Sequence, residues 1–380
     1  MLSCVALSWN RCSKFAEVMF VAFRVDASTQ IGSGHLMRCL TLAEALHTIG
    51  ADILFICREL PGHLCSHVEA CGFTVRRLPM PEEAASAGTG ISHAAHGVDW
   101  AEDAAETASA LAEETGWLVV DHYALDARWE WALRSRADRI LVLDDLAERS
   151  HDCDLLLDQN YYETQEKRYM ELVPTGCRVL AGPRYALLRP EFAKARERLN
   201  QRDGRVERIL VFFGAGDYGN ETLKALQGIR QLGRPEIGVD VVLGVNHPFK
   251  QAVKNSAATM PQVFCHDYVN NMAELMAAAD LYLGAAGTTT WERCCLGLPS
   301  LVIAVAKNQI KPIQSLELIG AVQYLGESVE VSVEDISRAL GSIMDAPSLL
   351  VAMGDAAMAL VDGLGTHRCV AAMLEVRGAY

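Results

Sequence analysis

Apolar residues fall in short unbroken runs separated by longer stretches where they recur every three or four positions. The runs at residues 20–26, 52–57, 73–78, 117–122, 139–144 and 155–159 predict strands, and the stretches at 34–49 and 99–114 predict helices. Strands that are apolar at nearly every position suit a parallel sheet covered on both faces. Their alternation with helices implies right-handed crossovers and a doubly wound α/β fold. The pattern breaks at 189–208, where Pro190, Lys194, Arg196, Glu197, Arg198, Gln201, Arg202, Asp203 and Arg205 read as a helix plus a linker. A second series follows, with strands predicted at 208–213, 238–243, 262–265, 281–284 and 300–305 and helices at 221–231, 272–279, 289–296 and 309–319. The tail is helical, and part of it is expected to pack back across the first domain. The expected organisation is an extension over 1–18, an N-terminal α/β domain over 19–200, a C-terminal α/β domain over 205–350 and terminal helices over 351–380.

Bulk properties narrow the class. A chain of 380 residues suits two domains that each bury a core. A 51% hydrophobic content excludes disorder. The net charge is −14 with no long basic run, which argues against a nucleic-acid interface. The 12 cysteines include no Cys-x-x-Cys pair and read as reduced thiols of a cytoplasmic protein. No uninterrupted apolar stretch reaches the ~18 residues of a membrane span. Residues 1–18 are interrupted by Arg11, Lys14 and Glu17, a poor signal peptide. Met19, directly before the first strand, reads as the true start; the rival reading is an N-terminal helix packed on the domain.

Each half opens with a strand feeding a glycine loop, Gly32-Ser33-Gly34-His35 in the first and Gly214-Ala215-Gly216-Asp217 in the second. In open α/β sheets the ligand lies beyond the carboxyl ends of the strands, so two such sheets predict a cleft between facing domains. Glycines at a helix start let backbone N–H groups approach an anion. His35 projects from the first loop as a candidate base, with Asp26, at the end of the preceding strand, expected to orient it. The same loop also reads as a turn with a capping histidine. In the second half Gly284-Ala285-Ala286-Gly287 precedes Thr288, Thr289 and Thr290, whose hydroxyls suit a phosphate. Glu292, in the first turns, suits a ribose diol, or is plain N-terminal capping. Asp121-His122-Tyr123 ends a strand, and Lys307-Asn308-Gln309 follows another, with amides suited to sugar hydroxyls or to a solvated turn. His63 and His67 have metal-ligand spacing without a third partner, His93 and His96 read as loop, Cys294-Cys295 as helix packing and Asp144-Asp145 as strand-end acids.

Taken together, Asp26-Ala27-Ser28, Ile31 to His35, Met37-Arg38-Cys39, Asp121-His122-Tyr123, Leu143 to Ala147, Asp158-Gln159-Asn160, Gly182 to Arg189, Asn271 to Met276 and Gly287 to Glu292 resemble the UDP-2,4-diacetamido-2,4,6-trideoxy-β-L-altropyranose hydrolases of pseudaminic acid biosynthesis, a route to flagellin glycosylation. The resemblance runs in order from about residue 23 to 309. It implies two Rossmann-like domains facing a central cleft, as in GT-B glycosyltransferases, and inverting cleavage of a UDP-activated diacetamido sugar by water, with no metal or cofactor. It implies that His35 is the general base, that Tyr123 and Asn308 line the sugar site, and that Glu292 with the adjacent threonines Thr288 and Thr289 forms the UDP site. Gly32, Gly34, Asp26, Gly214, Gly287 and Gln309 are further candidate substrate-binding residues from the loop positions themselves. The rival readings are a GT-B transferase acting on a UDP-amino sugar and a non-catalytic nucleotide-sugar sensor. The sequence does not fix the oligomeric state.

Overall fold

The computed structural model describes residues 19–80, 99–112, 114–244, 247–267 and 269–377. The expected extension over 1–18, and His93 and His96, lie outside them. The first sheet contains β1 (Phe20–Val25), β2 (Asp52–Arg58), β3 (Thr74–Leu78), β4 (Thr115–Asp121), β5 (Ala137–Leu143), β6 (Leu155–Asp158) and β7 (Arg178–Ala181). The second contains β8 (Arg208–Phe212), β9 (Gly238–Leu243), β10 (Val263–Asp267), β11 (Leu281–Ala285), β12 (Ser300–Ala304) and β13 (Gln323–Glu327). Their orders are β3-β2-β1-β4-β5-β6-β7 and β10-β9-β8-β11-β12-β13. The paired strands are parallel throughout. The doubly wound expectation therefore holds for both halves. In each sheet the order reverses beside the first strand, which opens a crevice beyond the carboxyl ends there.

The helices of the first half are α1 (Gly34–Thr48), α2 (Cys65–Ala70), α3 (Trp100–Ala110) and α4 (Ala127–Leu133). They are followed by α5 (Pro190–Arg196), α6 (Glu221–Leu232), α7 (Lys250–Ala257), α8 (Met272–Ala278), α9 (Thr289–Cys295), α10 (Lys307–Leu318), α11 (Val333–Met344), α12 (Pro347–Leu360) and α13 (Gly365–Arg377). The apolar pattern did not single out α2, α4, α7, α11, β7 or β13. β7 is four residues led by an arginine, and β13 is a half-buried edge strand. Helix α10 begins at Lys307, two residues before its expected start.

Strand periodicity explains the two cores of the first sheet. On β1, Val21, Phe23 and Val25 enter one fully buried cluster with α1, while Ala22 enters the opposite cluster with Trp129 of α4. Each such large apolar side chain contributes about 1.5–3 kcal/mol on burial. Arg24 shares the face of Ala22 and is fully buried. It forks onto Asp103 of α3 at 3.1 and 2.6 Å and onto Asp26 at 2.7 and 2.9 Å. Arg58 joins Asp103 at 2.7 Å, and Trp129 donates its indole N–H to it at 2.9 Å. Breaking such a buried network leaves uncompensated charge. Asp103→Ala is therefore expected to destabilise the protein by about 3–5 kcal/mol, read as a lower denaturant midpoint in chemical unfolding.

The polar stretch between the sheets is helical only over α5. Beyond it Arg202 donates to the carbonyls of Met276 (3.1 Å), Ala279 (3.0 Å), Leu296 (2.6 Å) and Gly297 (3.1 Å). A guanidinium at the carboxyl ends of α8 and α9 satisfies orphan carbonyls and opposes both helix dipoles. This segment is thus fastened to the second domain.

The run 347–376 is apolar and long enough to cross a membrane by composition, but residues 361–364 divide it into α12 and α13. Its apolar residues go to three cores: Leu350 and Met353 to one face of the second sheet, Ala357 to the other, and Cys369, Val370, Ala372 and Met373 to the first domain beside α1.

Candidate active site

The first glycine loop is closed by its own side chains. Ser28 Oγ accepts from the N–H groups of Gln30 and Ile31, and the Gly32 N–H bonds Ser28 O at 2.9 Å. Gly32 has φ +81°, a left-handed conformation that turns the chain directly into α1. Gly34 is the first residue of α1, and a methyl there would lie 3.1 Å from Thr288 Cγ2. The loops before α1 and α9, one from each domain, therefore touch.

His35 projects from the first turn of α1, its side chain 11% exposed. Its Nδ1 is 2.6 Å from Asp121 Oδ1 at the end of β4. With Nδ1 as the donor, the neutral ring is left basic at Nε2, which makes no hydrogen bond among the described residues. Asp121 is also gripped by Arg38, with Nε 2.6 Å from Oδ2 and Nη2 2.7 Å from Oδ1. Burial opposes its ionisation, but Arg38 and then His35 outweigh burial and hold the carboxyl well below its usual range. Arg38 reaches on through Nη1 to Asp145 at 3.2 Å, and Asp145 accepts the Tyr123 hydroxyl at 2.9 Å. Burial, and after it Asp145, keep the Tyr123 phenol well above its usual range, so it stays a hydrogen-bond donor. The Tyr123 ring meets His35 edge-on at 4.6 Å. From the second domain Asn308 Nδ2 approaches the Tyr123 hydroxyl at 3.4 Å.

The predicted residues divide accordingly. The structure brings Gly34, which lies between Gly32 and His35 in the chain, against Thr288, the neighbour of Thr289, and joins Tyr123 to Asn308. Gln309 Nε2 lies 4.0 Å from where a side chain on Gly287 would begin. Glu292 faces Arg189 at 3.6 Å. Asp26 is not the partner of His35. Its carboxylate is taken by Arg24 and by the Arg58 N–H at 2.7 Å, with His122 Nε2 3.4 Å away, and it is 2% exposed. Burial and charge pairing place it in the network under the sheet. Gly214, with φ +92°, has open space around it. In its loop, Asp217 accepts the N–H groups of Glu221 and Thr222 at 2.8 and 2.9 Å and contacts His247, a capping role inside the fold. Cys294 and Cys295 are buried helix residues.

Sequence reasoning missed Asp121, Arg38 and Asp145 as a unit. One signal was available: Arg38 lies three residues after His35, on the same face of a helix.

Burial pushes the Glu292 carboxyl up to about 7, against Arg189 and with the repulsion of Glu191. An acid raised in the folded state is held protonated there while the unfolded chain ionises, so its contribution to stability falls as pH rises from about 4.5 to 7. Glu292→Gln removes that penalty. The variant is expected to be more stable than the parent by about 1–3 kcal/mol above neutral pH, with the difference vanishing in acid, as read from thermal melts across pH.

Residues 209–362 match the glycosyltransferase family 28 C-terminal domain. The chain is 27% identical over 293 residues to the UDP-2,4-diacetamido-2,4,6-trideoxy-beta-L-altropyranose hydrolase of Campylobacter jejuni, covering 77% of this chain and 93% of that one. It is 28% identical over 227 residues to the spore coat polysaccharide biosynthesis protein SpsG of Bacillus subtilis, covering 59% of this chain and just under two thirds, 65%, of SpsG. Among solved structures, MurG of Acinetobacter baumannii superposes with a TM-score of 0.63 at 13% identity, covering 94% of this chain and 99% of that one. The GT-B-like arrangement of two facing α/β domains is therefore the fold.

Proposed function

We propose that this chain, a nucleotide-sugar-processing enzyme of the UDP-2,4-diacetamido-2,4,6-trideoxy-β-L-altropyranose hydrolase family, releases UDP from that diacetamido sugar nucleotide by inverting attack of water at the anomeric carbon. The observation that carries the reading is the His35–Asp121 pair, 2.6 Å apart, where the loop of one domain meets Thr288 of the other.

In this reading a water molecule lies between His35 Nε2 and the anomeric carbon, on the face opposite the diphosphate. As its oxygen bonds to that carbon, its proton passes to Nε2. The electron pair of the breaking C–O bond leaves on the β-phosphate oxygen of UDP. Asp121 accepts from Nδ1 throughout and steadies the imidazolium that forms. General-base help of this kind is worth about 10²–10⁴ in rate. Tyr123 and Asn308 bind the sugar from opposite sides of the cleft. The hydroxyls of Thr288 and Thr289 take the diphosphate, and Glu292, once ionised, accepts both ribose hydroxyls.

The test is an NMR time course of the protein with the UDP-diacetamido-altrose compound, without added metal or acceptor. Free UDP and reducing sugar, formed first as the inverted anomer, support the hydrolase. A substrate that stays intact while its signals broaden overturns hydrolysis. It would leave the transferase reading, in keeping with the family 28 domain, or a sensor.

A further inference from the structure

We propose that Arg38 is a positioning residue that governs the proton on His35: by sharing the Asp121 carboxylate with the imidazole, it keeps the ring neutral and Nε2 basic. The inference rests on His35 as the base of the proposed reaction. In an isolated carboxylate–imidazole pair the full negative charge faces the ring and favours imidazolium. Here Arg38 Nη2 bonds the same Oδ1 that takes His35 Nδ1, at 2.7 and 2.6 Å, while Nε holds Oδ2 at 2.6 Å. The guanidinium also stands 3.2 Å from Nδ1 itself. Arg38 is 6% and Asp121 1% exposed, so solvent screens these charges weakly. A cation this close opposes a second proton on the ring, and the bidentate fork fixes the carboxylate that fixes the imidazole.

The other groups around the ring are accounted for. Cys39 of α1 places its thiol 3.6 Å from Asp121 Oδ2, and burial, then Asp121, hold that thiol in its neutral form. Tyr123 stays a protonated phenol, with Arg149 over its ring at 5.9 Å. From the second domain, the uncharged Thr288 and Asn308 reach Gly34 and Tyr123. Asp145, after β5, is the counterweight. Its Oδ2 lies 3.2 Å from Arg38 Nη1, and its side chain is 15% exposed. Arg38, Asp121 and Asp145 together carry one net negative charge. Removing the Arg38 charge leaves two beside the ring, and neutralising Asp145 leaves none. The two changes must therefore move the His35 proton in opposite directions.

The experiment is a histidine-selective NMR titration of the full chain, the His35 signal being identified by its loss in His35→Ala, alongside the pH profile of kcat/KM. In Arg38→Met the His35 midpoint is expected to rise by about one unit or more. The acid limb of the rate profile should move with it, so activity lost in acid returns in alkali. In Asp145→Asn the midpoint should fall. Arg38→Lys keeps the charge but not the fork: its midpoint stays near the parent's while kcat drops at every pH. An unchanged midpoint in Arg38→Met, or shifts of the same sign in the Met and Asn variants, overturns the proposal. If Arg38→Met does not fold, Asp145→Asn decides alone, and a midpoint that fails to fall overturns it. Should the parent release no UDP, the hydrolase reading fails, yet the titration still judges the role of Arg38.

Discussion

His35→Ala lowers kcat by about 10²–10⁴ while UDP binds as before. The asymmetry follows from where the side chain stands. His35 belongs to the first domain, next to the Gly34 that meets Thr288, whereas Thr288, Thr289, Gln309 and Glu292 belong to the second. Removing the imidazole takes away the proposed proton acceptor without touching the surface proposed to hold the nucleotide. Single-turnover rates together with calorimetric titration of UDP would check both halves. A variant that turns over within about tenfold of the parent removes His35 from the role of base.

Asp121→Asn is expected to cost about as much in kcat, roughly 10²–10⁴, and stability as well. The carboxylate accepts from His35 on one oxygen and from Arg38 on both. An amide can present only one acceptor oxygen. Whichever way it turns, one N–H of Arg38 faces another donor, and no negative charge remains to steady the imidazolium. Arg38 is buried, so losing its full partner should also lower stability by about 3–5 kcal/mol. The measurement is kcat corrected for folded fraction, with the denaturation midpoint beside it. Folded Asp121→Asn with near-parental kcat would mean that the pair is not the source of the base.

The architecture was legible because both sheets are buried on two faces. Val21, Phe23 and Val25, or Ile209, Leu210 and Val211, announce parallel strands without any knowledge of their neighbours. β7 and β13 lack that signal: Arg178, Gln323 and Glu327 are polar ends of short edge strands, whose pairing partners alone make them strands. The site was legible only as far as sequence neighbours carry it. His35 and Gly34 stand out in their loop, and Tyr123 at its strand end. The partner of His35 did not, because Asp121 is 86 residues away along the chain. Asp26 was nearer in sequence and looked suitable, yet strand periodicity already contained the correction. Arg24 and Asp26 are two residues apart, hence on one face, and on a buried strand opposite charges on one face pair with each other.

The path of the last helix affects how the protein is made. The chain passes from the first domain to the second beside Ala186 and returns at Gly365, where a side chain would lie 2.2 Å from Ala186 O. Thr366 donates to Leu188 O at 2.9 Å, tying outgoing and returning segments together. Only then does α13 deliver Cys369, Val370, Ala372 and Met373 to the core of the first domain. During synthesis that domain emerges first, yet one wall of its core, α13, leaves the ribosome only after the second domain has been translated. The first domain must therefore wait, with the apolar flank of α1 uncovered, while the whole second domain is translated. Its core is completed only after the second domain is made, by the same docking that ties the returning segment to the outgoing one through Thr366 and Leu188.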